Sequence, residues 1–244
     1  MDHGRLSGIG AKKAKKGAEG RADRKKGATS ATSQVSVILE TLRERIATQA
    51  IPPGAKLLEQ NLAGEFNVSR ARVREVLTAL ERRGLIRREP NKGAVVAKLE
   101  LTEVFEIYDV REALEGLCAR LATENAPPET WDDLVELFGK PMEKLVAAGD
   151  IDTYDKALRQ MRQRMIEAAR NPVLASMLDS VYEKTRTIMR RVLILPDRAT
   201  KGLAEHQAVL AAMRRGEAAE AERLKRANIR SAINDLKRYQ NFVL

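Results

Sequence analysis

The sequence has little of the chemistry on which most enzymes and secreted proteins depend. It contains one cysteine, Cys118, and two histidines, which excludes an internal disulfide framework and a multi-cysteine zinc site. No nucleophile–base pair and no glycine-rich phosphate loop can be traced, so we predict that the protein is not an enzyme. No apolar run approaches the roughly 20 residues of a membrane span, and no secretory signal pattern opens the chain. These features predict a cytoplasmic protein without a membrane partner.

Acidic residues are scarce relative to basic ones, and the positive excess lies in the first two-fifths of the chain. The formal net charge is +10. Residues 1–32 hold nine Lys or Arg against three Asp or Glu, residues 33–98 hold twelve against seven, and residues 99–244 hold 23 against 24. This asymmetry indicates an N-terminal part that meets a polyanion and a nearly neutral C-terminal part with another task.

Residues 1–32 consist mainly of Gly, Ala, Lys and Arg, with almost no apolar anchors. Such a segment cannot bury enough surface to offset its ordering entropy, so we predict a disordered basic tail. Two roles stay open for it. The tail adds non-specific affinity for phosphates, or it is no more than a solvated segment.

Residues 33–98 have the pattern of a winged helix-turn-helix DNA-binding domain. Apolar residues at helical spacing predict a first helix that Ser33 caps and that "IPPGAKL" ends. A short second helix follows, and then a third that Ser69 caps and Gly84 ends. Residues 85–98 are typical of strand, turn and strand. Three helices with a two-stranded ribbon place the third helix in the major groove of DNA.

The third helix carries arginines in its first turns, where the helix dipole disfavours cations. Arg70 and Arg74 lie about 40° apart on one face, whereas Arg72 points elsewhere. A guanidinium can bind both acceptors of a guanine edge, so we predict that Arg70 and Arg74 read bases. A merely solvated face is the alternative. The other predicted DNA contacts are Gln60, Ser69 and Arg72, to phosphates or flanking bases, and Asn91, Lys92 and Gly93 at the tip of the wing.

Residues 99–244 show helical periodicity and no strand signal. After a long first helix that "NAPPET" closes, the pattern predicts helices over Trp131–Ala148, which Pro141 kinks or divides, and then over Ile151–Ala169, Pro172–Leu193, Ala199–Arg215 and Glu217–Tyr239. The predicted fold class is therefore mainly α, a winged helix-turn-helix followed by a bundle of about six helices. Such a bundle is large enough to enclose a ligand pocket.

Residues 35–98 resemble the GntR-type winged-helix transcription regulators through "LLEQNLAGEFNVSRARVREVLTALERRGLIRREPNKGAVV". They depart from the usual pattern at Arg72, where proline is common. The second half resembles the FCD type of effector domain through "VFEIYDVREALEGLCARLA", "AARNPVL" and "EHQAVLAAMRRGEAAEA". The resemblance implies a regulator, more often a repressor, that binds a palindromic operator in double-stranded DNA as a homodimer and answers to a small effector.

In the resembled effector domains, one aspartate and three histidines commonly hold a divalent metal, which helps to bind a small organic acid. Counted from Asn171 of "RNP", these positions fall on Leu158, Arg162, His206 and Asn228. One imidazole and one carboxamide make a poor site for a transition metal. We therefore expect no bound metal and no other cofactor.

Polar residues interrupt the apolar stripes of the C-terminal helices at Arg111, Arg162, His206 and Asn228. We predict that these four residues bind a small anionic organic effector, with Arg162 and Arg111 as the positive centre that receives a carboxylate or phosphate. A core or capping role is the alternative for His206.

A second explanation stays open for the two arginines, because an unpaired charge inside a bundle costs several kcal/mol of desolvation. Arg111 has Glu115 one turn further along the helix, and Arg162 has Glu167 or Asp155 as nearby carboxylates. Internal pairing would leave neither arginine available for a ligand.

The alternative function is a non-specific nucleoid-type DNA-binding protein with a degenerate effector domain. The basic tail suits either function. A nucleoid protein has no need, however, of a nearly neutral bundle with polar groups on its inner faces. We therefore expect two domains: a DNA-binding domain over residues 33–98 and an effector-binding and dimerisation domain over residues 99–244.

Overall fold

The computed structural model describes residues 34–240, which are mainly helical with one small sheet. They divide into two compact units. The first ends at Val96 and the second begins at Ala97, with the short stretch Ala47–Gln49 grouped with the second. The predicted tail, residues 1–32, and the predicted cap Ser33 lie outside the described residues. The predicted fold class, a winged helix-turn-helix followed by a helical bundle, is confirmed.

The first unit contains three helices and a three-stranded antiparallel sheet. Its helices are α1 (34–47), α2 (Glu59–Glu65) and α3 (Arg70–Arg82), and its strands are β1 (Lys56–Leu57), β2 (Ile86–Glu89) and β3 (Gly93–Val96). The strands lie in the order β1-β3-β2. The two predicted strands of the wing correspond to β2 and β3. The third strand, β1, was not predicted, because two residues are too few to show an alternating pattern.

Local signals at both ends of α3 set its length. The Ser69 hydroxyl accepts a hydrogen bond from the Arg72 amide at 3.4 Å, which caps the first turn. Gly84 has a φ of 71°, a left-handed conformation that glycine adopts without strain. One face of α3 packs into the core of this unit through Val73, Val76, Leu77 and Leu80, which are at most 1% exposed. Burying such side chains contributes about 1.5–3 kcal/mol each.

The second unit is a bundle of α-helices with one turn of 3-10 helix, Pro128–Trp131. Its helices are α4 (Leu101–Asn125), α5 (Asp132–Phe138), α6 (Lys140–Ala147), α7 (Ile151–Ala169), α8 (Pro172–Leu193), α9 (Arg198–Arg214) and α10 (Ala218–Arg238). The helix predicted over residues 131–148 is divided into α5 and α6, which is one of the two outcomes expected at Pro141. It is divided because Pro141, in the first turn of α6, has no N–H with which to continue the hydrogen bonds of α5.

Helix α4 contacts α7, α8, α9 and α10 and so forms the centre of the bundle. Trp131, Phe138 and Tyr154 are fully buried in one hydrophobic cluster to which α4 contributes Ala119 and Ala122. Cys118 is buried in the same core, and burial raises the pKa of its thiol to about 12, which makes it unreactive. Between residues 34 and 240, no helix is both long enough and apolar enough to cross a membrane.

Candidate functional site

The two arginines predicted to read bases, Arg70 and Arg74, are exposed one turn apart on α3. Side chains of α2 hold both of them. Nη2 of Arg70 donates to Oε1 of Gln60 at 3.0 Å, and Nε of Arg74 lies 3.2 Å from Oε2 of Glu59. A guanidinium has five N–H donors, so one such contact orients the group and leaves donors for a base edge or a phosphate.

Arg72, between these two arginines in sequence, is half-buried and lies toward α1. Its guanidinium donates a hydrogen bond to Oε1 of Gln34, while its backbone amide donates to the Ser69 cap. The structure therefore separates Arg72 from the surface that Arg70 and Arg74 share.

The predicted wing residues form the exposed tip of the hairpin between β2 and β3. Asn91 and Gly93 have φ angles of 63° and 77°, the left-handed region that asparagine and glycine adopt most readily. Nζ of Lys92 lies 2.7 Å from Oε2 of Glu89. The turn thus presents a carboxamide and an ammonium group together at one edge of the unit.

Sequence reasoning missed two parts of this surface. The exposed face of α3 extends beyond Arg74 as a shallow groove lined by Ala71, Arg74, Glu75, Thr78, Ala79, Arg82 and Arg83. The spacing of four residues from Arg74 to Thr78 and Arg82 was a usable signal for it. Glu59 gave no signal, because its contact with Arg74 joins two helices.

In the second unit, the four residues predicted to bind an effector line one cavity, although each comes from a different helix. Arg111 lies on α4, Arg162 on α7, His206 on α9 and Asn228 on α10. The cavity has a volume of about 50 Å³, which is room for a few water-sized groups, and it opens to solvent.

Arg111 belongs to a buried ionic network with one carboxylate at its centre. Nε and Nη2 of Arg111 donate to Oε1 of Glu115 at 2.9 and 2.7 Å, and Nζ of Lys225 lies 2.9 Å from Oε2. Burial alone would raise the pKa of Glu115, but the fields of Lys225 and Arg111 outweigh it and hold that pKa well below 4.5. The internal pairing left open for Arg111 is therefore present.

The corresponding pairing is not present for Arg162. Among residues 34–240, its guanidinium forms no ion pair, and it lies over the ring of Tyr182, 5.4 Å from the ring centre. The two carboxylates suggested for it have other partners. Glu167 accepts a hydrogen bond from Gln163 at 2.7 Å, and Asp155 accepts one from Arg159. Arg162 therefore brings an uncompensated positive charge to the cavity.

The polar groups on the opposite side of the cavity are held by Glu205. Oε2 of Glu205 accepts hydrogen bonds from Nδ2 of Asn228 at 2.8 Å and from Nη2 of Arg198 at 2.7 Å. The Tyr154 hydroxyl lies 3.1 Å from Nδ1 of His206. Burial, followed by the fields of Lys225 and Arg198, lowers the pKa of His206 well below 6.5, so the imidazole is neutral at neutral pH.

Sequence reasoning missed two cations of this cavity, Arg198 and Lys225. Lys225 was detectable, because it interrupts the buried stripe of α10 in the same way that Arg111 interrupts that of α4. Arg198 lies in the first turn of α9, where no periodic stripe precedes it, and so it gave no signal.

The cavity wall contains all four positions at which the resembled domains hold a metal: Leu158, Arg162, His206 and Asn228. They do not fit a divalent ion, because one has no donor atom, one is a cation and only one is an imidazole. No group of three His, Cys, Asp or Glu in the described part of the chain could hold a metal ion. The charge of Arg162 would also repel a dication.

Both units match models of known protein families. Residues 34–96 match the bacterial regulatory proteins of the gntR family, and residues 106–231 match the FCD domain. The chain belongs to the GntR family of bacterial transcription regulators. This match confirms the resemblance found in the sequence and, with it, the function of a DNA-binding transcription regulator whose FCD domain implies a small effector.

Curated relatives of this GntR regulator are themselves transcription regulators. An uncharacterized HTH-type regulator from the TAR-I ttuE-ttuC' intergenic region of Agrobacterium vitis is 36% identical over 120 residues, which are 49% of this chain and 69% of the relative. McbR of Escherichia coli is 27% identical over 157 residues, 63% of this chain and 71% of McbR. The gluconate operon transcriptional repressor of Bacillus licheniformis is 40% identical over 116 residues, 47% of this chain and 45% of the repressor.

The solved structures support the fold. E. coli McbR/YncC superimposes with a TM-score of 0.70 at 21% identity, covering 85% of this chain and 99% of the other. A GntR regulator from Rhodococcus sp. RHA1 gives a TM-score of 0.66 at 20% identity, with coverage of 85% and 99%. Nothing in these comparisons supports the nucleoid-type alternative.

Proposed function

We propose that this GntR regulator is a homodimeric repressor that leaves a palindromic operator when a small organic anion occupies the FCD-domain cavity. The supporting observation is that one chain combines an exposed arginine face on α3 with a cavity lined by cations. The sign of regulation is suggested by relatives with repressor names, from Bacillus licheniformis and Paenarthrobacter nicotinovorans. The protein acts on chromosomal DNA, hence in the cytoplasm, and no catalytic step is part of the proposal.

In this proposal residues 33–98 bind one half-site, with α3 in the major groove. Arg70 and Arg74 contact base edges, because their guanidinium groups are exposed and already oriented by α2. Phosphates or flanking bases are contacted by Gln60, Ser69 and Arg72, and the adjacent groove edge by Asn91, Lys92 and Gly93.

Residues 99–244 bind the effector and form the dimer. Arg111, Arg162, His206 and Asn228 are the proposed ligand contacts, and the ligand binds without a metal ion. A two-fold symmetric dimer matches an operator built from two half-sites. Sedimentation of the full chain should give twice the chain mass at micromolar concentration, and a monomer on operator DNA would contradict this part of the proposal.

The DNA-reading role is tested by selecting the operator from random duplexes and then comparing Arg74→Ala with the native protein. We expect a loss of operator affinity of about 5- to 150-fold, corresponding to about 1–3 kcal/mol, together with lost preference at one base pair in each half-site. The control is Arg223→Ala, an exposed arginine of α10 paired with Glu220, which should bind as the native protein does. Equal weakening on operator and random DNA would show that Arg74 contacts only the backbone.

Effector control is tested on the same operator by fluorescence anisotropy. Small organic acids are added at constant ionic strength, and release of the native protein is expected for at least one of them. Arg162→Ala should keep its operator affinity and lose this release. If Arg162→Ala still leaves the DNA at the same acid concentration, the cavity is not the effector site.

A further inference from the structure

The FCD-domain cavity has more positive than negative charge around it. Four cations line its wall: Arg111, Arg162, Arg198 and Lys225. Arg198 is compensated, because it lies 2.7 Å from Glu205 and 3.5 Å from Asp235, and Asp235 also pairs with Lys201. These two cations and two carboxylates together carry no net charge.

The other side of the cavity is not compensated. Glu115 is a single carboxylate facing two buried cations, Arg111 and Lys225, and Arg162 adds a third positive charge. Asp155, the carboxylate in the wall, is bonded to Arg159, so that pair adds nothing to the total. Three cations against one carboxylate leave two positive charges without a partner.

The two arginines lie beside one ring. The guanidinium carbons of Arg111 and Arg162 are 5.8 and 5.4 Å from the centre of the Tyr182 ring. Nη1 of Arg111, in a residue only 5% exposed, has no hydrogen-bond partner among the described residues, and Arg162 has no carboxylate. Two guanidinium groups with unused donors therefore line one cavity beside the same ring.

We infer that the cavity binds a small organic dianion directly on these cations, with Arg162 and Arg111 as its two anchoring points and no metal ion between protein and ligand. This inference rests on the proposed function of the cavity as the effector site. A dianion supplies the two missing negative charges, and each carboxylate or phosphate end can accept paired hydrogen bonds from a guanidinium. A monoanion would leave one buried cation uncompensated.

The inference is tested by thermal unfolding of the full chain in EDTA at pH 7.5 and constant ionic strength. Succinate, glutarate and inorganic phosphate are the probes, and each is compared with a monoanion: butyrate, valerate and chloride. At a hundredfold excess over its Kd, a dianion should raise Tm by about 5–10 °C, and its monoanion partner by less than half as much. A shift with phosphate alone would identify a phosphate ester as the ligand class, and a shift with the diacids alone a dicarboxylate.

Two variants of α7 separate ligand binding from stability. Arg162→Met should weaken binding of the dianion about 10- to 150-fold, since it removes charged hydrogen bonds. It should change the Tm of the ligand-free protein little, because the lost cation has no carboxylate partner and contacts the Tyr182 ring. Arg164→Met is the matched control: its guanidinium bonds to Asp133 outside the cavity, so dianion affinity should be native. Arg162→Lys should restore part of the affinity.

Three results would overturn the inference: no dianion exceeding its monoanion partner, a shift that appears only after a divalent metal is added, or equal losses in Arg162→Met and Arg164→Met. Operator binding measured in parallel keeps the two proposals apart. If the dianion binds through Arg162 and the operator is never released, effector control fails and the ligand assignment stands. If a neutral or cationic compound releases the operator, the ligand assignment fails and effector control stands.

Discussion

Replacing Glu115 with glutamine removes the carboxylate that two buried cations share. The side chains of Glu115, Arg111 and Lys225 are 2%, 6% and 4% exposed, so water cannot take over the role of the lost charge. Glutamine keeps one acceptor oxygen for Arg111 but places an amide against the ammonium of Lys225. Breaking a buried ion pair on one side costs about 3–5 kcal/mol. At about 2–4 °C per kcal/mol for a domain of this size, Tm should fall by about 6–20 °C.

The loss in Glu115→Gln should depend on pH in a defined direction. The pKa of Glu115 is lower in the folded protein than its ordinary 4.5, because the fields of Lys225 and Arg111 outweigh the opposing effect of burial. The stability it provides is thus fully present above pH 4.5 and is lost as the pH falls toward the folded-state pKa. The difference in the free energy of unfolding between native protein and variant should therefore shrink from pH 7 to pH 3.

Thermal unfolding measures the fall in Tm, and urea unfolding at each pH, followed by circular dichroism, measures the free energy of unfolding. The control is Glu112→Gln, three residues earlier on α4, whose carboxylate lies 3.1 Å from Arg226 and Arg230, two arginines that are 43% and 55% exposed. An ion pair with exposed partners contributes about 1 kcal/mol or less, so this control should stay close to native stability. The reasoning is refuted if Glu115→Gln loses no more than the control at pH 7, or if its loss is the same at both pH values.

Three further predictions concern local chemistry. Ser69→Ala removes the N-cap of α3 and should lower the free energy of unfolding by about 1 kcal/mol in urea, with Ser69→Asp restoring it; an unchanged midpoint would exclude the cap. Gly93→Ala should lower the free energy of unfolding by about 1–2 kcal/mol, because alanine is strained at the φ of 77° although no neighbouring atom lies within 4 Å of the added carbon. A larger loss would indicate a steric clash. Because the pKa of His206 is lowered in the folded protein, the free energy of unfolding should fall by up to about 1.4 kcal/mol per pH unit as the pH drops from 6.5 to 5. His206→Phe should lack this pH dependence, and an equal pH dependence in the variant would contradict a neutral His206.

Helix ends were predictable where a local side chain sets them. Both predicted bounds of α7 and of α8 are those of the structure. Their starts are set by side chains, since Asp150 caps α7 through the Thr153 amide and Asn171 caps α8 through the Leu174 amide. Strand β1 was not predictable, because it exists only through pairing with β3, nearly forty residues further along the chain. Pairing over such a distance leaves no pattern in two residues.

Candidate site residues were predictable when a charge interrupted an apolar stripe, as at Arg111 and Arg162. The stripe shows that a polar group faces inward, but it does not show which partner that group finds there. Arg111 pairs with Glu115 one turn away, whereas Glu167 accepts a hydrogen bond from Gln163 and not from Arg162. Side-chain rotamers and the neighbouring helices determine which partner a buried charge finds, and the spacing of residues along one helix predicts neither of them.

The contacts between α2 and the arginines of α3 have a consequence for how the DNA specificity of such regulators changes in evolution. Arg74 forms an ion pair with Glu59, and Arg70 donates a hydrogen bond to Gln60. Each guanidinium is therefore oriented by a residue outside the helix that carries it. A mutation at residue 59 or 60 can thus re-aim an arginine while the recognition helix keeps its sequence. Duplicated copies of the gene could acquire different operators in this way, and comparing α3 sequences alone would overlook the change.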